Sequence, residues 1–160
     1  MTDLNILVFS DSHRNTERML EIIEQKNPDH VIHLGDHVRD ADEIRCRYQL
    51  LPVLSVKGNC DFEPDGRELV LGDFQGVRVL AAHGHRFGVK SSLLRYLYFA
   101  KEQQVDVALF GHTHQAYCEN EDGLWLMNPG SCSGFRPSYG EINIENNRIV
   151  CRITYMDDGR

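Results

Sequence analysis

The sequence contains no long apolar run, and its acidic residues outnumber its basic ones. No stretch approaches the roughly 20 apolar residues of a membrane-spanning helix, and the N-terminus lacks the basic and apolar segments of a signal peptide. With 17 Lys and Arg against 24 Asp and Glu, the net charge of −7 argues against a general nucleic-acid or membrane-surface binder. We therefore expect a cytoplasmic protein without a membrane partner.

The five cysteines are scattered, and no two of them form a Cys-x-x-Cys pair. An odd and dispersed set fits neither a disulfide framework nor a zinc knuckle. Such cysteines favour a reducing compartment, in agreement with a cytoplasmic location. Cys46, Cys118 and Cys151 are predicted to be small buried residues.

The chain of 160 residues is long enough to bury a sizeable core. Its hydrophobic content of 41% and its charged content of 26% are typical of a globular protein. We predict one mixed α/β domain over residues 1–160, with two β-sheets and outer helices.

The first part of the chain alternates strand and helix patterns. Mostly apolar segments at residues 6–9, 31–34 and 51–56 predict strands. The first is continuously apolar, which is typical of a strand buried on both faces. Between them we predict two helices, at residues 15–26 and 39–47. This order implies parallel pairing of the strands with right-handed crossovers.

The second part of the chain is mostly β-like. Residues 68–82 form a predicted hairpin, and a helix follows from about Ser91, its proposed N-cap. The core face of this helix is predicted to carry Leu93, Leu94, Leu97 and Tyr98. Further strands are predicted at residues 107–110, 116–119, 124–127, 140–144 and 149–155.

Polar side chains follow five of the predicted strands, each beside a glycine or another polar residue. They are Asp11, His13, Asp36, Asn59, His83, His85, His112 and His114. Because the carboxyl ends of strands in open α/β sheets gather at one edge, we expect these side chains to converge. The pair His112 and His114 would face one volume if its backbone were extended.

This donor set favours borderline transition metals over Ca²⁺ or Mg²⁺, which prefer all-oxygen shells. The ligands are too many for one ion and suit two ions that share a carboxylate. Two divalent ions with two Asp ligands would leave a site charge of about +2, or about +1 with a bridging hydroxide. Such a site suits an anionic substrate and in-line attack on phosphorus between two metals.

The five blocks resemble those of the calcineurin-like metallophosphoesterases. The blocks are Asp11-Ser12-His13, Gly35-Asp36, Gly58-Asn59-Cys60-Asp61, His83-Gly84-His85 and Gly111-His112-Thr113-His114. The small size and the loop Asn128-Pro129-Gly130-Ser131 are most similar to the compact bacterial and archaeal phosphodiesterase branch.

The resemblance implies a four-layer αββα sandwich and two divalent ions, with Mn²⁺ expected first and Fe, Zn, Ni or Co as alternatives. One ion would be held by Asp11, His13, Asp36 and His114, and the other by Asp36, Asn59, His83 and His112. Asp36 would bridge the two ions, and phosphate oxygens would meet the metals and the Asn59 region.

Cys60 stands where many members of the family have a histidine that protonates the leaving alkoxide or stabilises the phosphate. A thiol is a poorer proton donor and adds no positive charge. We therefore expect phosphodiesters, or esters with good leaving groups, as substrates, with His85 or His37 as substitute proton donors.

The resemblance implies a dinuclear metal-dependent phosphodiesterase that uses a bridging hydroxide and acts on a small anionic phosphoester. A phosphomonoesterase of the same fold is the first alternative. A protein-binding scaffold similar to the retromer trafficking subunit is the second, and it is disfavoured because no ligand position here is vacated. Whether the chain forms a homo-oligomer is left open.

Overall fold

The computed structural model describes residues 3–64 and 66–156. Their ten strands form two five-stranded mixed sheets, accompanied by three α-helices and a short 3₁₀ helix at His85–Phe87. The elements are β1 (Leu4–Phe9), α1 (Thr16–Lys26), β2 (His30–His33), α2 (Arg39–Arg47), β3 (Val53–Ser55), β4 (Leu69–Phe74), β5 (Val77–Ala82), α3 (Leu94–Glu102), β6 (Val107–Leu109), β7 (Tyr117–Glu121), β8 (Leu124–Asn128), β9 (Ser138–Glu145) and β10 (Arg148–Tyr155).

The first sheet has the strand order β10-β9-β1-β2-β3, and the second has the order β4-β5-β6-β8-β7. β1, β2 and β3 pair in parallel, which confirms the prediction from the strand–helix alternation. In the second sheet β5, β6 and β8 are parallel, while β4 and β7 are antiparallel edge strands. The functional loops therefore follow parallel strands in both sheets.

Three apolar clusters give the layers of the molecule. Along β1, Ile6 and Val8 face the second sheet, while Leu7 and Phe9 face the helices, because successive side chains on a strand alternate in direction. The central cluster joins the inner faces of both sheets. One outer cluster packs α1 and α2 on the first sheet, and the other packs α3 on the second. This arrangement confirms the predicted αββα sandwich.

The third helix departs from the prediction. It begins at Leu94 after a run of turns, and Ser91 does not cap it; the Ser92 hydroxyl instead accepts the Leu94 N–H at 3.2 Å. Its buried face is formed by Tyr96, Leu97 and Ala100. Leu94 and Tyr98 are 58% and 62% exposed, because helical spacing places them outside this buried face.

The structure also tests the predicted burial of the cysteines and the absence of membrane-spanning helices. Cys46 is exposed on α2, so its predicted burial was wrong, whereas Cys151 is buried and Cys118 is partly buried. No helix among the residues that the structure describes is long and apolar enough to cross a membrane.

Candidate metal centre

The loops that follow β1, β2, β5 and β6 meet at one edge of the sandwich. They bring His and Asp ligand atoms into two groups, and within each group all the ligand atoms lie within 4.8 Å of one another. One group is Asp11, His13, Asp36 and His114, and the other is Asp36, His83 and His112. Asp36 belongs to both groups. These are the two sets that the family resemblance implied, without Asn59.

Two glycines allow the loops to approach this closely. A Cβ on Gly58 would overlap the Asp36 carboxylate, and a Cβ on Gly111 would overlap the Ser10 hydroxyl. A side chain at either position would therefore push apart the chain segments that carry the candidate ligands. The glycines of these two sequence blocks are therefore required for steric reasons.

Five of the seven predicted metal ligands have left-handed backbone conformations. Their φ angles lie between 45° and 69°, and the residues are Asp11, His13, Asp36, His112 and His114. L-residues pay roughly 1–2 kcal/mol for this conformation, and such strain concentrates at functional sites. His112 and His114 are thus not on extended backbone, and the prediction that they face one volume on such a backbone was wrong. They belong to different groups of candidate ligands.

The Asp11 carboxylate is buried and turned toward the first group. Its Oδ2 accepts hydrogen bonds from the Ser10 hydroxyl at 2.6 Å and the His112 N–H at 3.2 Å. Its Oδ1 has no hydrogen bond among the described residues, although His114 Nε2 lies 3.1 Å away. An orphaned buried carboxylate oxygen is costly, and a bound cation would compensate it.

The His83 ring presents a nitrogen lone pair to the centre. Its Nδ1 lies 2.8 Å from the carbonyl oxygen of Leu34, and since that oxygen can only accept, Nδ1 carries a proton. In the neutral ring Nε2 is then unprotonated. It is buried without a hydrogen-bond partner among the described residues, 3.4 Å from Asp36 Oδ2. A backbone carbonyl that orients a ligating imidazole in this way is typical of metal sites.

The charges of the centre favour a cation. Burial acts to raise the pKa of Asp36, but the nearby His83 ring, when it is protonated in the metal-free protein, and the Cys60 N–H outweigh burial and hold the pKa below its usual range. Burial raises the pKa of Asp11, against the opposing effects of His83, Ser10 and His114. Desolvation and the charges of His83 and Lys90 lower the pKa of His112 to about 4, which keeps its ring neutral. These residues fit a divalent transition metal.

Asn59 and His85 stand at the margin of the centre. Asn59 is exposed, and its amide nitrogen lies 3.6 Å from Cys60 Sγ. The His85 ring lies 5.6 Å from the His83 ring and 6.1 Å from the His112 ring, centroid to centroid. Ligation by Asn59 and proton donation by His85 therefore stay predictions.

No pattern in the sequence indicated the role of Asp40, which joins the polar network behind the first group. The buried Asp40 carboxylate accepts hydrogen bonds from the Ser12 hydroxyl at 2.6 Å and the Arg14 N–H at 2.8 Å, and His37 Nδ1 lies 3.1 Å from it. His33 Nε2 contacts the same Ser12 hydroxyl at 2.8 Å. A buried acid on an otherwise polar helix leaves no periodic signal that would have revealed it.

The loop at residues 128–131 also supports the centre. The Ser131 hydroxyl donates to the Asp11 carbonyl at 2.8 Å, and the Asn128 amide donates to the Gly111 carbonyl at 3.1 Å. This loop therefore holds the backbone of two of the sequence blocks in place.

A two-sheet sandwich with two groups of Asp and His at its loop edge defines a class of metal-dependent hydrolase. The family model of the calcineurin-like phosphoesterase superfamily domain matches residues 4–146. The chain belongs to that superfamily, and it is a metal-dependent phosphoester hydrolase.

Individual relatives agree with this assignment. The probable metallophosphoesterase YsnB of Bacillus subtilis (strain 168) is 36% identical over 156 residues, covering 93% of this chain and 89% of the relative. The phosphodiesterase YfcE of Escherichia coli (strain K12) is 28% identical over 168 residues, covering 88% of each chain.

Solved structures share the fold. A predicted phosphoesterase from Streptococcus pneumoniae TIGR4 superposes with a TM-score of 0.82 at 25% identity, covering 97% of this chain and 91% of that one. Vacuolar Protein Sorting 29 from Cryptosporidium parvum gives 0.84 at 17% identity, covering 100% and 95%; at that identity the likeness shows the fold alone.

Proposed function

We propose that this protein is a dinuclear metal-dependent phosphodiesterase. The observation that carries the proposal is the position of Asp36, which belongs to both groups of candidate ligands. A carboxylate shared by two groups is what a pair of neighbouring ions requires, and bound divalent ions would polarise a phosphoryl oxygen and supply a hydroxide nucleophile at neutral pH. Mn²⁺ is the first metal to test because the family resemblance implies it, and the mixed His and carboxylate set also suits Fe, Zn, Ni or Co.

The protein would hold this centre rigid. The Cys60 N–H donates to Asp36 Oδ1 at 3.0 Å, so the shared carboxylate keeps its second oxygen, Oδ2, toward His83. The Leu34 carbonyl fixes the His83 ring, and the Ser10 hydroxyl fixes Asp11. Ligands positioned before substrate arrives need no rearrangement during the reaction, which is how such sites lower barriers.

The lack of a positive charge at Cys60 favours a diester over a monoester as substrate. A monoester dianion carries one more negative charge than a diester monoanion, and the thiol of Cys60 offers no positive charge to meet it. Asn59, next to Cys60, is proposed to contact phosphate oxygens, and His85 to donate a proton to the leaving group. The protein-binding scaffold alternative is disfavoured because both groups of candidate ligands are complete in the sequence.

The proposal is tested by the turnover of bis(4-nitrophenyl) phosphate by Mn²⁺-loaded protein, with 4-nitrophenyl phosphate as the monoester comparison. We expect the diester to be preferred, and we expect His83→Ala and Asn59→Ala to lower its turnover by roughly two orders of magnitude or more. His30→Ala is the matched control, because His30 lies at the opposite end of β2, against Phe74. Mutants as active as the wild type, or activity without bound metal, would refute the mechanism. A preference for the monoester would indicate a phosphomonoesterase instead of a phosphodiesterase.

A further inference from the structure

A pocket of about 410 Å³ adjoins the candidate metal centre. Three of its lining residues are the immediate neighbours of predicted ligands: Arg14 follows His13, His37 follows Asp36, and Cys60 follows Asn59. All of its lining comes from the segments after β1, β2 and β3, so it lies on the first sheet's side of the centre. Its volume falls within the range of small-molecule sites, roughly 300–1,000 Å³.

The pocket contains an exposed aromatic ring on a fixed backbone. Phe62 is 88% exposed, which is unusual for a phenyl group because burial of apolar surface is favourable. The chain on its N-terminal side is nevertheless held in place. The Asp61 carboxylate accepts the N–H groups of His37 and Val38 at 2.9 Å each and of Gly58 at 2.8 Å.

The charges around the pocket are unequal. Arg39 is paired with Glu63 at 2.9 Å, so these two charges neutralise one another. Arg14 donates from Nε to His37 Nε2 at 3.1 Å and forms no ion pair with a carboxylate among the residues of the described chain. Its positive charge therefore stays available to an anion bound beside His13.

From these observations we propose that the pocket receives an aromatic ester substituent of the phosphodiester, with its ring stacked on Phe62 and Arg14 near the phosphate. This inference rests on the proposed function and narrows its substrate class to esters of nucleosides or aryl alcohols. An exposed aromatic ring can stack on a ring of the ligand, and the anchored backbone before Phe62 limits the conformational freedom that is lost on binding. An alkyl substituent would leave the exposed ring of Phe62 uncovered.

The experiment measures binding rather than turnover. Isothermal titration calorimetry with Mn²⁺-loaded protein compares methylphosphonate, phenylphosphonate and the 5′-methylenephosphonate analogue of adenosine monophosphate, none of which is hydrolysed. We expect the two ring-bearing ligands to bind about 5- to 150-fold tighter than methylphosphonate, the range of one ring stacking on an aromatic side chain. Tighter binding of the adenosine analogue than of phenylphosphonate would assign the pocket to nucleosides, and the reverse order to aryl esters.

Substitutions of aromatic residues test whether Phe62 causes the tighter binding of the ring-bearing ligands. Phe62→Ala should reduce the affinity ratio to less than about twofold, and Phe62→Trp should retain it. Tyr98→Ala and Phe135→Ala are the matched controls, since both remove exposed aromatic rings that do not line the pocket. Equal affinities in the wild type, a ratio that survives Phe62→Ala, or its loss in Phe135→Ala would overturn the proposal. Ring-dependent binding without diester turnover would refute the proposed function and leave the pocket assignment in place.

Discussion

Asp36→Asn should remove both metal sites, whereas His112→Ala should remove only one. Asp36 is the single residue common to the two groups, and His112 belongs to the second group alone. Asparagine fills the same volume but lacks the negative charge that both ions would share. We expect wild-type protein to bind two Mn²⁺ ions, His112→Ala one, and Asp36→Asn at most a weakly held ion.

The same substitutions should change stability in steps. An ion at 100 times its dissociation constant stabilises the folded state by about 2.7 kcal/mol per site. In a chain of 160 residues each kcal/mol raises the melting temperature by about 2–4 °C. One occupied site should therefore raise Tm by roughly 5–11 °C, and two sites by about twice that.

Differential scanning calorimetry and metal quantification test these steps together. Each protein is measured with chelator and with Mn²⁺, so that the metal-free stability of each variant is its own reference. Asp42→Asn on the exposed face of α2 serves as the control for a lost carboxylate. Equal Mn²⁺-induced shifts in Asp36→Asn and in the wild type would refute the shared-carboxylate centre. Two ions retained by His112→Ala would refute the assignment of that residue.

Three further predictions concern the surroundings of the centre. Asp40→Asn should lower the free energy of unfolding by about 1–3 kcal/mol, because its buried carboxylate holds Ser12, Arg14 and His37. The control Asp42→Asn should lower it by less than about 1 kcal/mol. Equal losses for the two variants in urea unfolding would contradict this prediction. Burial lowers the pKa of His33 to about 4 against a usual 6.5, so its contribution to stability is full above pH 6.5 and falls as the pH drops toward 4. About 2 kcal/mol should be lost by pH 5, a loss that His33→Gln should not share if unfolding is compared at pH 7.5 and 5.0. Cys60→His should raise monoester turnover relative to diester turnover by about 10- to 100-fold, with the exposed Cys46→His as control; no gain would show that Cys60 does not set the preference.

The convergence of the site could be predicted because it depends on local patterns and one topological rule. The apolar runs that precede Asp11, Asp36, His83 and His112 are each visible in the sequence. Parallel strands then bring their carboxyl ends to one edge, and the structure places these residues there.

The conformation of the site could not be predicted, since it depends on contacts between distant segments. The positive φ angles of His112 and His114 contradict the extended geometry that was considered for this pair. The overlap of a Gly111 side chain with Ser10 joins positions about a hundred residues apart in the sequence. The partners of Asp40 likewise come from the loops after β1 and β2.

The third helix shows a different limit. An apolar stripe at Leu93, Leu94 and Leu97 fits helical spacing, but the stripe alone does not fix where the helix begins. The turns that follow the 3₁₀ helix delay its start to Leu94. Helical spacing places Tyr96 and Ala100 beside Leu97 on the buried face. Leu94 lies outside that face.

The division of each ligand group between the two sheets has a consequence for how the chain assembles. The first group needs His114 from the second sheet, and the second group needs Asp36 from the first. No fragment that holds only one sheet contains a complete group. We therefore expect a nascent or partly folded chain to acquire its ions last, so that metal uptake during refolding would report the moment at which the two sheets dock.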